Sequence, residues 1–563
     1  MLILAPLLQP GYLLYRDAVS TPRSFITDAA LGIGELAPRA VPQDWFVALA
    51  SSFIDGGVVV IAILAGALLF GAVGYGRLAA RLLPGLGRTP AIVAAVAAVW
   101  NPYVAERLLQ GHWGLLVALG ALGWIIVAVL DLHRSPRSAV RWCQLGALLA
   151  VAGLTPTGSV LALIISLTVG ITTAANLRWR LRTALAVFGL WLLTALTWLT
   201  AALFGGASLD SAGAAGVAAF SLRSEPLLGP LGTAAGLGGI WNGEAVPTSR
   251  GSGWALVATL ALLSVVLYGG IALWRRRGAA DAVNRRVIEV MAILAGLTVI
   301  TIAALSLPAG QSVLAWVINT VPGAGLLRDT QKFSALAVPF VAISAAAAAR
   351  AAHRRAPAGF VLAAAALLII APLPDLAWGV GGKLAPISYP AQWRAVSDVV
   401  PADAGAVAIW PSGTVRRYDF TDEISLDPAP RMLRAPVIES GELSVDGQVV
   451  DTATPLAAQV RDVLAAGGDP HALVELGVGW VLVERSATDE LPIPSALSQL
   501  TPTLAGEQLV LIQLPGASSA PASASARTAA WAAHGIWLAV ILSGALAGPC
   551  AAVLRRRSPA QAA

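Results

Sequence analysis

The chain has 563 residues, 57% hydrophobic and only 12% charged, with a mean hydropathy of +0.74. Soluble domains carry about 25% charged residues, so the composition excludes an ordinary soluble protein and points to a polytopic membrane protein. The net charge of +6 sits in short loops between apolar runs, which is no nucleic-acid signal. Cys143 and Cys550 both fall at or in apolar segments, so no disulfide framework or cysteine-based metal site is available.

Apolar runs near the roughly 20 residues needed to cross a bilayer predict about twelve spans. They lie near 1–15, 56–76, 89–109, 113–131, 142–155, 158–175, 183–205, 254–274, 287–306, 334–350, 359–378 and 529–553. The first would extend only about 22 Å as a helix, against a hydrocarbon core of about 30 Å. It lacks a basic leader. Either this span is shortened or the true start lies upstream. Residues 142–155 and the run after Thr155-Pro-Thr-Gly158 form a short helix pair, which must pack on protein or line a wet cavity.

Arginine clusters at Arg77/Arg81/Arg88, Arg134/Arg137/Arg141, Arg178/Arg180/Arg182, Arg275–Arg277, Arg350/Arg354/Arg355 and Arg555–Arg557 mark the cytoplasmic loops. Both termini are then expected inside. Residues 16–48, 206–253, 307–333 and about 380–527 are expected outside.

The expected fold is a polytopic all-α membrane protein with a small extracytoplasmic α/β domain. Residues 1–379 form the membrane domain with an outer-face cavity. Residues 380–515 form the outer domain, where helices at 389–400 and 454–466 alternate with strands at 406–410, 480–484 and 508–514. Residues 516–528 read as a flexible linker, 529–554 as the last span and 555–563 as a basic tail.

Three constellations carry chemistry. Tyr15-Arg16-Asp17 follows the first run, with Asp28, Glu35 and Asp44 beyond it. A carboxylate fixed there can act as general base on a hydroxyl, and Asp17 is the best placed; an Arg16–Asp17 ion pair is the bland alternative. Asn101-Pro-Tyr-Val-Ala-Glu-Arg-Leu-Leu-Gln-Gly-His-Trp113 puts Glu106, Arg107 and Gln110 on one helical face. Arg107 is a candidate phosphate ligand, Glu106 its partner and His112 a structural or catalytic histidine. Gly325-Leu-Leu-Arg-Asp-Thr-Gln-Lys-Phe333 holds Arg328, Asp329, Gln331 and Lys332, and Lys332 is one of only two lysines in the chain. Arg328 and Lys332 are four apart, so a helix would aim both at one anionic head group. The loop 206–253 adds Arg223, Glu225, Trp241, Glu244 and Arg250 as lid candidates.

These motifs, with Leu476-Gly-Val-Gly-Trp-Val-Leu-Val483, resemble polyprenyl-phosphate-dependent glycosyltransferases of the GT-C superfamily. The likeness is to the membrane portion of actinobacterial α-(1→3)-arabinofuranosyltransferases (AftD-like) and to YfhO-like membrane proteins. The resemblance implies a polyprenyl-phosphate sugar donor held among membrane lipid, and a cell-envelope glycan or lipid as acceptor. Asp17 would be the catalytic base. Arg328 and Lys332 would contact the donor phosphate. The residue reading above adds Arg107 to that contact, with Arg16, Asp28, Glu106, His112, Asp329 and Gln331 in support. No Asp-x-Asp pair follows the first run. No motif requires a cofactor, and a divalent metal is left open. A non-catalytic or transport-type membrane protein handling polyprenyl-linked glycans, or a structural envelope protein, is the competing reading.

Overall fold

The computed structural model describes residues 1–36, 40–205, 214–421, 423–445, 447–485, 492–518 and 520–557. Nine of its helices are long and apolar enough to cross a membrane: Gly56–Leu82, Arg88–Gln110, Trp113–Arg134, Pro156–Thr173, Leu177–Phe204, Trp254–Arg275, Ala282–Leu305, Thr330–His353 and Ala524–Gly548. The protein is therefore a multi-pass membrane protein, and three of the twelve expected spans take other forms.

Residues 1–15 do not form a spanning helix. They make a 3-10 turn, Ala5–Leu8, and the first strand of a hairpin. Leu2 and Ile3 carbonyls accept the Trp378 and Gly379 amides at 2.9 and 2.7 Å, and Tyr12 pairs with Ile387. The amino-terminal segment therefore packs against residues 378–387, next to the α/β unit. Proline and glycine at Pro6, Pro10 and Gly11 deny this run a continuous helix.

Ala139–Ala152 is a helix of 14 residues, about 21 Å long. It is too short to span alone and packs against the C-terminal helix, where Trp537 Nε1 donates to Ala150 O at 3.0 Å. The run 359–378 is broken into Ala358–Ile370 and Pro374–Gly381, bent by 85°. A break at membrane depth frees backbone carbonyls that need partners. Trp100 Nε1 supplies one to Ile370 O (3.2 Å) and Leu373 O (3.1 Å), and Trp254 Nε1 caps Pro372 O at 3.0 Å.

Close helix packing relies on small residues. A Cβ at Gly71 would stand 2.9 Å from Gly120 Cα, so Gly56–Leu82 and Trp113–Arg134 touch backbone to backbone. Large apolar side chains such as Leu69, Leu267 and Ile293 point outward, as lipid contact requires.

The α/β unit holds a five-stranded sheet. In chain order its strands are β1 (Ala406–Trp410), β2 (Val437–Ile438), β3 (Val478–Glu484), β4 (Leu504–Ala505) and β5 (Leu509–Gln513), arranged β4-β5-β3-β1-β2. The strands β2, β1 and β3 are parallel and the others antiparallel. One face packs on Trp393 and Val396 of helix Ala391–Val399, the other on Val460 and Leu464 of helix Pro455–Ala465. The short strand β2 lies outside the sequence expectation, because two residues carry no readable alternation. Of the basic tail, residues 558–563 lie outside the described ones. The segment before the last helix is tied down, since Asp28 Oδ2 accepts the Ala522 amide at 3.0 Å and both Asp28 oxygens hold Arg527 at 2.8 Å.

Arg16 and Asp17 form the two-residue turn of the hairpin Leu14–Tyr15/Ala18–Val19, with Arg16 at φ +48°. The turn seats on Gly111, which is at φ +84° and whose added Cβ would lie 2.3 Å from the Ala18 amide nitrogen. Gly111→Ala should therefore lower stability by more than about 1 kcal/mol, read as a fall in the thermal midpoint of the detergent-solubilised protein. An unchanged midpoint would show that the hairpin does not depend on this seat.

Candidate functional site

Pro102 ends one helix and starts the next, Pro102–Gln110. Asn101 bridges the break. Its Oδ1 caps Val104 N at 3.1 Å, and its Nδ2 donates to Ala97 O and Ala98 O at 3.1 and 2.9 Å. This rigid joint aims Glu106, Arg107 and Gln110 inward, all at most 5% exposed.

Arg107 is fully buried. Its guanidinium binds Asp329 through two bonds, 2.8 and 3.2 Å, and also meets Gln331 Oε1. Gln331 Nε2 donates to Glu106 Oε2 at 3.1 Å, and Glu106 accepts the Gly239 and Ile240 amides at 2.9 and 3.1 Å. Arg107 is thus committed to a side-chain network: a buried guanidinium needs a carboxylate partner, and Asp329 takes that place.

The same arginine fixes His112. Arg107 Nη1 donates to His112 Nδ1 at 3.0 Å. Nδ1 must then accept, so the ring proton sits on Nε2 and is donated to Asp17 Oδ2 at 3.0 Å. Burial pushes the His112 pKa down, and the neighbouring cations Lys332 and Arg107 reinforce this against the Asp17 hydrogen bond. Burial works to raise the Asp17 pKa, but the His112 hydrogen bond and the Lys332 charge outweigh it and hold the carboxyl below its usual range. The result is a neutral histidine donating to an ionised carboxylate. Asp17 remains 40% exposed while His112 is 18% exposed, so the carboxylate faces outward from a buried support.

Arg328 and Lys332 do not share a helix. The 3-10 turns Ala324–Leu327 and Thr330–Leu336 are separated at Asp329, whose ψ of 81° is not helical. Arg328 turns to the α/β unit, binding Asp451 at 2.7 and 3.1 Å and lying over the Phe220 ring at 4.2 Å. Lys332 Nζ stands 3.7 Å from Asp329 Oδ2 and is 26% exposed, while Tyr103 Oη donates to the Lys332 carbonyl at 3.0 Å. Burial tends to raise the Asp329 pKa, but Arg107 and Lys332 bring it to about 2.

The remaining first-loop acids are spent on architecture. Asp28 holds Arg527, Asp44 binds Arg431 at 3.0 Å, and Glu35 accepts from Thr454 at 3.2 Å. Arg16 pairs with Glu244 at 3.0 Å, not with Asp17. In the long loop, Glu225 and Arg250 form a buried ion pair and Trp241 packs on Phe220. Sequence reasoning missed Tyr103 and Asn242, which donates to Gln110 Oε1 at 2.9 Å; neither stands in a readable pattern. Among the described residues no group of three His, Cys, Asp or Glu side chains could hold a metal ion.

No protein-family model matches the chain, and no curated protein resembles it in sequence. Among solved structures, 92% of the chain superposes on arabinofuranosyltransferase AftD from mycobacteria, with a TM-score of 0.53 and 15% identity. A mutant of that enzyme gives a TM-score of 0.50 at 14% identity, again over 92% of this chain. The chain shares the fold of the matched part of that protein. The chain covers only 39% and 41% of those two larger chains, so the likeness is one of fold over part of their length.

Two measurements probe the network. Asp329→Ala leaves Arg107 buried without its carboxylate and should cost about 3–5 kcal/mol, read by thermal unfolding in detergent; a loss near zero would mean Arg107 finds another partner. The depressed His112 pKa means that its stabilising contribution is complete above about pH 6.5 and is lost as pH falls toward its folded value. The thermal midpoint should drop over that window in wild type, and less in His112→Gln.

Proposed function

We propose that the chain is a membrane glycosyltransferase that moves a sugar, of arabinofuranose or mannose type, from a polyprenyl-phosphate donor to a cell-envelope glycan or lipid. The transfer takes place on the outer face, with the 380–515 unit extracytoplasmic and the C-terminus inside. The observation that carries this reading is the half-exposed Asp17 carboxylate, held ionised by His112 on a hairpin tip beside Lys332, within a GT-C-like scaffold.

The chemistry needs two functions. An acceptor hydroxyl attacks the sugar C1 and passes its proton to Asp17 as the C1–O bond to the phosphate breaks. The polyprenyl phosphate departs with the bonding electrons, and a fixed cation stabilises that charge. Lys332 supplies it, being the exposed member of its ion pair. Arg328 joins only by releasing Asp451. Arg107 is a positioning residue: it orients His112, which in turn orients Asp17, and it anchors Asp329 beneath Lys332. The lipid tail of the donor stays among membrane lipid.

Asp17→Asn should lower sugar transfer about 10²–10⁴-fold at unchanged protein level and unchanged donor binding. Full activity in that variant would remove Asp17 from the chemistry. Lys332→Gln should weaken binding of the polyprenyl-phosphate donor more than Arg328→Gln does, measured by titration in detergent. The reverse order would make Arg328 the phosphate ligand.

A further inference from the structure

Where the first loop meets the α/β unit, two guanidinium groups lie over one aromatic ring. Arg23 Cζ stands 5.2 Å from the Phe25 ring centroid, and Arg434 Cζ stands 4.8 Å from it. Phe25 is fixed there by its backbone amide, which donates to Arg431 O at 3.1 Å. Both cations are attracted to the ring, but the ring neutralises neither. Among the described residues, neither guanidinium has a carboxylate oxygen within 4.0 Å. That sets this pair apart from Arg16, Arg250, Arg328, Arg416, Arg431 and Arg527, each of which holds a carboxylate. Two acids of the same region are already engaged. Asp44 binds Arg431, and Asp55 accepts from Tyr12 Oη at 2.8 Å and from the Gly57 and Val58 amides. Burial and the Arg434 charge both pull the Arg23 pKa down, as expected of like charges without a counter-ion.

The pair stands at the mouth of a span. Arg23 Nη1 donates to Ala48 O at 2.9 Å and to Ser51 Oγ at 3.1 Å. Ser51 closes the helix Gln43–Ala50, and Ser52-Phe53-Ile54-Asp55 leads from it into the spanning helix Gly56–Leu82. That helix has 27 residues. Its length of about 40 Å exceeds the hydrocarbon core of about 30 Å, so its ends reach the headgroup layers. At this end Phe53 is 83% exposed, Ile54 57% and Val58 56%. Acyl chains cover apolar side chains at such a place, and lipid phosphates lie just beyond them.

These neighbours select the ligand. A guanidinium matches a phosphate through paired N–H donors. The apolar residues beside it favour an anion that carries its own hydrocarbon. A zwitterionic headgroup brings a cation of its own, which two arginines repel. We propose that Arg23 and Arg434 clamp the headgroup phosphate of an anionic phospholipid, in the leaflet on the side of the α/β unit, with its acyl chains against Phe53, Ile54 and Val58. The lipid would tie the α/β unit to the membrane surface through Arg434. The proposal needs Gly56–Leu82 to span and is independent of the glycosyl transfer.

The test is photo-crosslinking of the full chain in phosphatidylcholine nanodiscs. A minor fraction of lipid carries a photoactivatable acyl chain, on either phosphatidylglycerol or phosphatidylcholine, and the labelled peptides are identified by mass spectrometry. Phosphatidylglycerol should label residues 51–58 more than phosphatidylcholine does. Arg434→Gln and Arg23→Gln should each lower that labelling about fivefold, the effect of one arginine at an anionic surface. Arg434 is exposed, so its variant should keep the wild-type thermal midpoint. Arg417→Gln/Arg485→Gln, which removes two exposed arginines elsewhere in the α/β unit, should leave the labelling unchanged. Equal labelling by the two lipids, unchanged labelling in folded Arg434→Gln, or the same loss in the control overturns the proposal. Loss of labelling in excess inorganic phosphate would make this a free-phosphate site and overturn the lipid assignment.

Discussion

The buried pair between Arg107 and Asp329 organises the membrane half of the molecule. It joins the helix Pro102–Gln110 to the turn before Thr330–Leu336, elements more than 200 residues apart in sequence. A guanidinium inside a protein is stable only with its carboxylate in good geometry and its remaining donors used. The two bonds to Asp329, with those to Gln331 and His112, occupy both Nη atoms. Once made, they leave little freedom to either element.

Consequences follow from Arg107 outward. An arginine can only donate, so His112 must accept at Nδ1 and donate at Nε2. The hairpin tip then receives that proton, and Asp17 is held as a half-exposed carboxylate. Meanwhile Asp329 carries more positive charge around it than it can neutralise, and Lys332 is left near the surface. Carboxylate and ammonium thus flank the same buried support. The other first-loop acids, Asp28, Glu35 and Asp44, are tied to the terminal helix and the α/β unit, which separates them from this arrangement.

The fold shows how irregular backbone is tolerated near a membrane. The broken helix at Ile370–Pro374 has its freed carbonyls covered by Trp100 and Trp254. Both tryptophans act as structural caps. Arg328 likewise bridges to Asp451, linking the membrane bundle to the α/β unit instead of standing open beside Lys332.

The sequence by itself determined the class. Runs of apolar residues force helices across a bilayer because backbone groups there have no other partners, and nine of the expected spans stand at the expected places. It also determined the main elements of the α/β unit, where alternation and glycine punctuation are local signals. It singled out Asp17, His112, Arg107, Asp329 and Lys332, because polar residues in an apolar chain need a reason. It misjudged residues 1–15, where apolar composition without length or continuity makes a 3-10 turn and one short strand. Tertiary structure alone decided which charges pair. Arg107 and Arg328 are equally good phosphate ligands in sequence, and one is sealed by Asp329 while the other is held by Asp451. Pairing depends on distances between remote segments, and no local pattern encodes them.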